Sequence, residues 1–277
     1  MCVSTLLCSR VLMVLKLALV TVLLSGQVLA EVRTEAVEYA VDGEPFRGLI
    51  AFDPDLPGPR PAVMVVHEWW GYNDYARNQA IRLAELGYVA FAIDMYGAGR
   101  IADTPDQAQS LMNSVLSDAK VLESRFEIAL QLLRGHPRVD RDRIAALGYC
   151  FGGGVVLHMA RKGLDLAGVV SMHGTLSSQI SAAPGGIKAP LRIYGGGDDP
   201  FVPSAQVIDF VQEMLTAGAR FDLVNFPAAR HAFTNPAATD LGLRFGMPLA
   251  YDIAADRESW AGLRAFLAKV FGEDAVP

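Results

Sequence analysis

One cysteine stands in a frame suited to nucleophilic chemistry. Gly148-Tyr149-Cys150-Phe151-Gly152-Gly153 follows directly on the β-rich run Arg143-Ile144-Ala145-Ala146-Leu147. Glycines around a nucleophile let the chain turn sharply from strand into helix, because no side chain clashes at the strained position. The thiol is then presented at the edge of a sheet. Free cysteine is also among the most buried residue types and often only fills space, but the glycine frame favours the chemical reading. An activated thiol needs a base to take its proton, and the base needs a partner that fixes its tautomer. Two later segments offer both: Gly195-Gly196-Gly197-Asp198-Asp199-Pro200-Phe201-Val202-Pro203 and Ala228-Ala229-Arg230-His231-Ala232-Phe233. A further carboxylate, Glu68, comes directly after a buried apolar run, in the loop opposite the cysteine, where it is positioned to meet the thiol. Its competing reading is an ordinary loop carboxylate paired with a cation.

These groups meet only if the intervening chain brings them to one edge. Val37–Val41 and Phe46–Phe52 flank Asp42-Gly43 and read as a hairpin. Ala62–His67 and Val89–Asp94 are nearly continuous apolar runs of the kind a strand buried on both faces requires. Helical patterns cover about Tyr75 to Leu86, Asp106 to Leu133, Gly152 to Arg161, Ser204 to Leu215 and Ala254 to Phe271. Between them lie strand patterns at Arg143–Leu147, Leu166–Met172, Leu191–Tyr194 and Phe221–Phe226. Such alternation predicts an α/β fold with a mostly parallel sheet and helices on both faces. Right-handed crossovers bring the C-terminal strand ends together. His67-Glu68, Asp94-Met95-Tyr96, Cys150, His173, Asp198-Asp199 and His231 each follow a predicted strand.

Residues 1–30 carry Arg10 and Lys16, an apolar Leu17–Leu24 segment, then Ser25-Gly26-Gln27-Val28-Leu29-Ala30, with no acidic residue. That is the layout of a secretory signal peptide cleaved after Ala30, leaving one domain over 31–277 and an exported, periplasmic or secreted protein. An uncleaved anchor is the competing reading, but the uninterrupted apolar stretch falls short of the ~20 residues a span needs. No membrane span is expected after processing. Cleavage takes the formal charge from −6 to −8, which argues against a nucleic-acid partner. It also removes Cys2 and Cys8, leaving Cys150 as the lone thiol, which in an oxidising compartment favours a role for it. The other histidines show no zinc spacing. His67 and His173 read as satisfied structural residues, and His136 and His158 as exposed or packed. Neither a metal nor a cofactor is expected, and the oligomeric state is left open.

The order nucleophile, acid, histidine, each behind its own strand, is that of α/β-hydrolases. The chain resembles the dienelactone hydrolase family of that fold, from His67-Glu68 through the cysteine motif and Asp199-Pro200-Phe201-Val202-Pro203 to His231-Ala232-Phe233. The resemblance implies that Cys150 is the nucleophile, His231 the general base and acid, and Asp199 the group that orients the histidine. It selects Asp199 over Asp198 by the Val-Pro that follows. It also implies that Glu68 contacts the resting cysteine, and that the Trp69 and Phe151 amides form an oxyanion hole. Such donors are worth roughly 3–4 kcal/mol each. The implied substrate is a small ester or lactone.

Two features depart from the family pattern. Members that cleave dienelactone grip its carboxylate with arginines, where this chain reads Tyr96-Gly97-Ala98-Gly99-Arg100 and His231-Ala232-Phe233-Thr234-Asn235. Arg100 is the remaining candidate for charge, from a shifted loop. Trp69, Trp70, Tyr96 and Phe233 suggest instead an aromatic-walled pocket for a less charged substrate. A non-catalytic binding protein of the same fold and a redox-active thiol protein are the competing functional readings.

Overall fold

The computed structural model describes residues 32–272. The predicted signal segment and its cleavage point lie outside them. Strands β1 (Arg33–Val41) and β2 (Glu44–Phe52) form the expected hairpin, turning at Asp42-Gly43. The chain then alternates: β3 (Arg60–Val66), α1 (Asp74–Ala84), β4 (Val89–Ile93), α2 (Pro105–Leu116), α3 (Ala119–Gly135), β5 (Val139–Tyr149) and α4 (Phe151–Arg161). It continues with β6 (Gly168–Met172), β7 (Leu191–Gly196), α5 (Ser204–Thr216), β8 (Phe221–Phe226), α6 (Ala238–Phe245) and α7 (Ile253–Phe271).

The eight strands form one sheet in the order β1-β2-β4-β3-β5-β6-β7-β8. The β1–β2 and β2–β4 pairs are antiparallel and all others parallel. Neighbouring central strands need crossovers, and helices supply them on both faces. Residues of opposite parity on a strand feed opposite cores. On β3, Met64 and Val66 join Phe126 of α3, Val155 of α4 and Phe210 of α5, whereas Val63 and Val65 join Leu83 of α1 and Leu267 of α7. This is the mostly parallel, two-sided α/β-hydrolase architecture expected.

Two local readings change. The single helical stretch expected over Asp106–Leu133 is two helices, separated at Ser117-Asp118, where the Asp118 carboxylate accepts from the Lys120 amide and caps α3. Helix α6 was not anticipated. Its apolar residues Leu241 and Phe245 pack with Trp70 and Leu249 in a small third core beside the strand ends. β3, β5, β6, β7 and β8 are successive neighbours, so the loops after them open side by side on one edge. β5, which leads into the cysteine, lies between β3 and β6.

Candidate active site

The turn from β5 into α4 is strained at its centre. Cys150 has φ 54° and ψ −116°, a conformation that costs of order 1–3 kcal/mol for a residue with a side chain. Close approach explains the flanking glycines. A Cβ on Gly148 would sit 2.0 Å from the Gly152 carbonyl oxygen, and one on Gly152 would sit 2.4 Å from that of Val66. The Gly152 amide donates to the His67 carbonyl at 3.1 Å, and the Cys150 amide to the Met172 carbonyl at 3.0 Å. The turn is thereby tied to both neighbouring strands.

Three side chains from three loops form a line. Cys150 Sγ lies 3.0 Å from His231 Nε2, and His231 Nδ1 lies 2.7 Å from Asp199 Oδ2. Asp199 is buried and its other oxygen accepts from the Phe201 amide at 2.9 Å. The carboxylate fixes the tautomer: Nδ1–H donates to Asp199, and Nε2 is left facing sulfur. Burial disfavours the imidazolium, but negative charge on Cys150 and the Asp199 carboxylate outweigh it and push the ring up to about 10. Asp198 points away and pairs with Arg230 at 3.2 Å on the exposed side.

Glu68 is buried beside this line. Its Oε2 accepts from Asn235 Nδ2 at 2.6 Å, while Oε1 has no hydrogen-bond partner. Burial raises its carboxyl to about 7, with the Asn235 hydrogen bond and the charge on His231 opposing the shift. Among the described residues no lysine or arginine forms an ion pair with it, and the cysteine sulfur is turned to His231. The Trp69 and Phe151 amides donate to no protein acceptor among the described residues, and both residues line the cavity that holds Cys150.

The two buried histidines behind the site are held as neutral rings. His67 Nε2 accepts from the Met95 amide at 3.1 Å, so its Nδ1–H donates to the Glu68 carbonyl at 2.5 Å. His173 Nε2 is 2.7 Å from Thr234 Oγ1, which also bonds the Tyr75 hydroxyl. Burial lowers both rings from the ordinary histidine value. Among the described residues no group of three or more His, Cys, Asp or Glu side chains could hold a metal ion.

A cavity of about 530 Å³ opens onto Cys150 and His231. Trp69, Phe151 and Phe201 surround its catalytic end, Phe201 packing edge-on to His231 at 5.0 Å. Met112 and Leu116 of α2, Leu122 of α3, Val155 of α4 and Leu249 form the body. Among the described residues no Lys, Arg, Asp or Glu lines it.

Comparison with known proteins decides the family. The model of the dienelactone hydrolase family matches residues 46–271. The chain belongs to the dienelactone hydrolase family. A putative carboxymethylenebutenolidase of Aquifex aeolicus is 30% identical over 75% of this chain and 90% of its own length. Among solved structures, a dienelactone hydrolase-like promiscuous phosphotriesterase from metagenomic libraries is 32% identical, with a TM-score of 0.82 over 87% of this chain and 99% of that one. A putative dienelactone hydrolase from Klebsiella pneumoniae subsp. pneumoniae is 25% identical, with a TM-score of 0.72 over 86% and 99%. Membership makes the protein a hydrolase of the ester and lactone class.

Within this dienelactone hydrolase framework, four residues expected at the pocket lie elsewhere. Trp70 turns under the edge and stacks on Phe245 of α6 at 5.9 Å. Tyr96 is fully buried and donates to the Trp69 carbonyl at 2.9 Å, so it holds the Trp69 loop rather than a ligand. Phe233 is buried against His173 and Phe226. Arg100 folds back on its own loop, donating to the Gly97 and Tyr96 carbonyls, and does not reach the cavity. The expected aromatic wall is therefore largely aliphatic and methionine-lined. Sequence reasoning missed Met112, Leu116 and Leu122 because apolar positions on an amphipathic helix read as core. It registered Asn235 only as a missing charge; its contact with Glu68 spans 167 residues of chain.

Proposed function

We propose that this dienelactone hydrolase family member cleaves neutral esters or lactones by thiolate attack, with Cys150 as nucleophile, His231 as base and acid, and Asp199 as the orienting carboxylate. The observation that carries the reading is the Asp199–His231–Cys150 line, with 2.7 Å and 3.0 Å between successive partners. The sulfur of Cys150, its proton held on His231 Nε2, adds as thiolate to the carbonyl carbon. The carbonyl oxygen becomes an oxyanion facing the Trp69 and Phe151 amides, which have no other acceptor among the described residues. Collapse breaks the bond to the leaving oxygen, which takes the proton from His231. A water then gives its proton to His231 and attacks the thioester, releasing the acid and restoring the pair of thiolate and protonated His231.

The preference for a neutral substrate is supported by the absence of Lys or Arg from the cavity lining. A carboxylate placed there would be desolvated without a partner. Asn235 fits the same reading, since it satisfies Glu68 without adding charge. Glu68, its carboxyl raised by burial, is the second group able to exchange a proton with the site. Export, with cleavage after Ala30 and residues 31–277 as one domain, is part of the proposal and rests on the sequence pattern of the first thirty residues.

The test is a panel of neutral aryl and alkyl esters, a carboxylate-bearing lactone and a neutral phosphotriester, the last because of the activity of the metagenomic relative. Hydrolysis of the neutral esters is expected to fall by at least about a thousandfold in Cys150→Ala. Full activity in that variant would remove Cys150 from the mechanism, and a strong preference for the charged lactone would contradict the neutral pocket.

A further inference from the structure

The cavity contains a polar group that the proposed chemistry does not use. His158 lies eight residues beyond Cys150 on α4, about 12 Å along the axis at 1.5 Å per residue. It is buried and faces the cavity together with Gly154 and Val155. Both ring nitrogens are engaged: Nε2 is 3.0 Å from Glu123 Oε1, and Nδ1 is 3.2 Å from Ser178 Oγ. Glu123 is paired in turn with Lys162. An ionised carboxylate only accepts, so the His158 Nε2 carries a proton and donates it. Ser178, which lines the cavity, also accepts from the Ile180 amide at 3.3 Å. The cavity thus combines the reacting sulfur, an apolar body and a polar group of Gln109, Thr175, Ser177, Ser178 and Gln179, in which the Ser178 hydroxyl is the one anchored by His158.

We infer that Ser178, held by His158 and Glu123, is a specificity site for a hydroxyl group at the end of the substrate remote from the scissile carbonyl. The inference rests on the ester and lactone reading and names its substrate class: hydroxyacyl esters with an apolar body reaching about two helical turns. When the imidazole is neutral, Nδ1 accepts the Ser178 proton, and a lone pair on Oγ is left for a ligand donor. When the ring is charged, Nδ1–H donates to Oγ, and the serine proton is free for a ligand acceptor. A hydroxyl donates in the first case and accepts in the second, so it pairs in both. A methyl terminus would cover the serine without replacing its water. A carboxylate terminus would find no lysine or arginine in the lining.

The test is binding to the Cys150→Ala protein, measured by calorimetry with two methyl esters of one straight-chain acid long enough to span the cavity, one ending in methyl and one in hydroxyl. The hydroxyl ester is expected to bind about three- to tenfold tighter, the range of one hydrogen bond. Adding Ser178→Ala should bring the ratio to about one, and Ser178→Thr, which keeps the hydroxyl, should retain the preference. Equal binding of the two esters, binding of neither, or a preference that survives Ser178→Ala would overturn the inference. Because no turnover is needed, this result is separate from the hydrolase reading, which fails instead if the unsubstituted protein cleaves nothing in the ester panel.

Discussion

Glu68 ionises in a buried place where, among the described residues, no lysine or arginine pairs with it and the charge on His231 only partly offsets its desolvation. Its ordinary value of 4.5 rises to about 7 through burial. A carboxyl raised on folding binds its proton more tightly in the native state, so stability is greatest below about pH 4.5 and falls as pH rises to about 7. At 1.36 kcal/mol per unit the loss reaches about 3 kcal/mol above that window. Glu68→Gln keeps an oxygen for Asn235 and removes the titration. Urea unfolding should find the variant more stable than the parent by up to about 3 kcal/mol near pH 8, with the gap closing toward pH 4. A difference that does not change with pH would contradict the assignment. Cys150, the Asp198-Asp199 pair and His231 were readable in the sequence as strand-end groups because each follows its own strand, and parallel topology sends all such positions to one edge; the choice of Asp199 came from the family resemblance. The partners of Glu68 and the lining of the cavity were not. They depend on which way loop side chains turn, and Trp70, Tyr96 and Phe233 turn inward to the cores while Phe201 stays at the mouth.

The junction of β5 and α4 is the element on which the site depends. Gly152 lets α4 start against the backbone of β3, and the neighbour that an added methyl would strike is a carbonyl oxygen, which cannot rotate away. Gly152→Ala should therefore cost about 1–3 kcal/mol and reduce kcat/KM by displacing Cys150 and the Phe151 amide together. Gly135→Ala is the matched control: it sits at the end of α3 with nothing within 4 Å of an added Cβ, and the change should be neutral or stabilising. Denaturation midpoints and ester kinetics on both variants check the pair, and equal effects would contradict the close-approach argument. The hairpin, the buried strands and most helices were legible from period and from Gly and Asp-Gly punctuation. The break at Asp118 was less visible, since a capping aspartate between two amphipathic helices does not interrupt the apolar pattern. Helix α6 is short, and its packing against Trp70 and Leu249 is a tertiary contact that no local pattern announces.

Across the whole molecule, one sheet edge collects groups scattered from Glu68 to His231, and residues of α2 and α3 join them in lining a cavity that among the described residues has no Lys, Arg, Asp or Glu in its wall. Fold and family are common to many hydrolases; the pocket of this chain has no lysine or arginine in its lining, an asparagine on the buried glutamate beside it, and a polar group at His158 and Ser178. These features set which substrate is attacked, while the line from Asp199 to Cys150 sets how. Among the described residues no helix is long and apolar enough to cross a membrane. The central claim, that sulfur of Cys150 carries the acyl group, is tested most directly by acid-quenching the protein during turnover of a neutral ester and mapping the adduct by peptide mass spectrometry. The account predicts the mass of the acyl group on the peptide containing Cys150, absent in Cys150→Ala and formed far more slowly in His231→Ala, where both the sulfur step and the water step lose their base. Steady hydrolysis with an acyl group on another residue, or undiminished in Cys150→Ala, would contradict it.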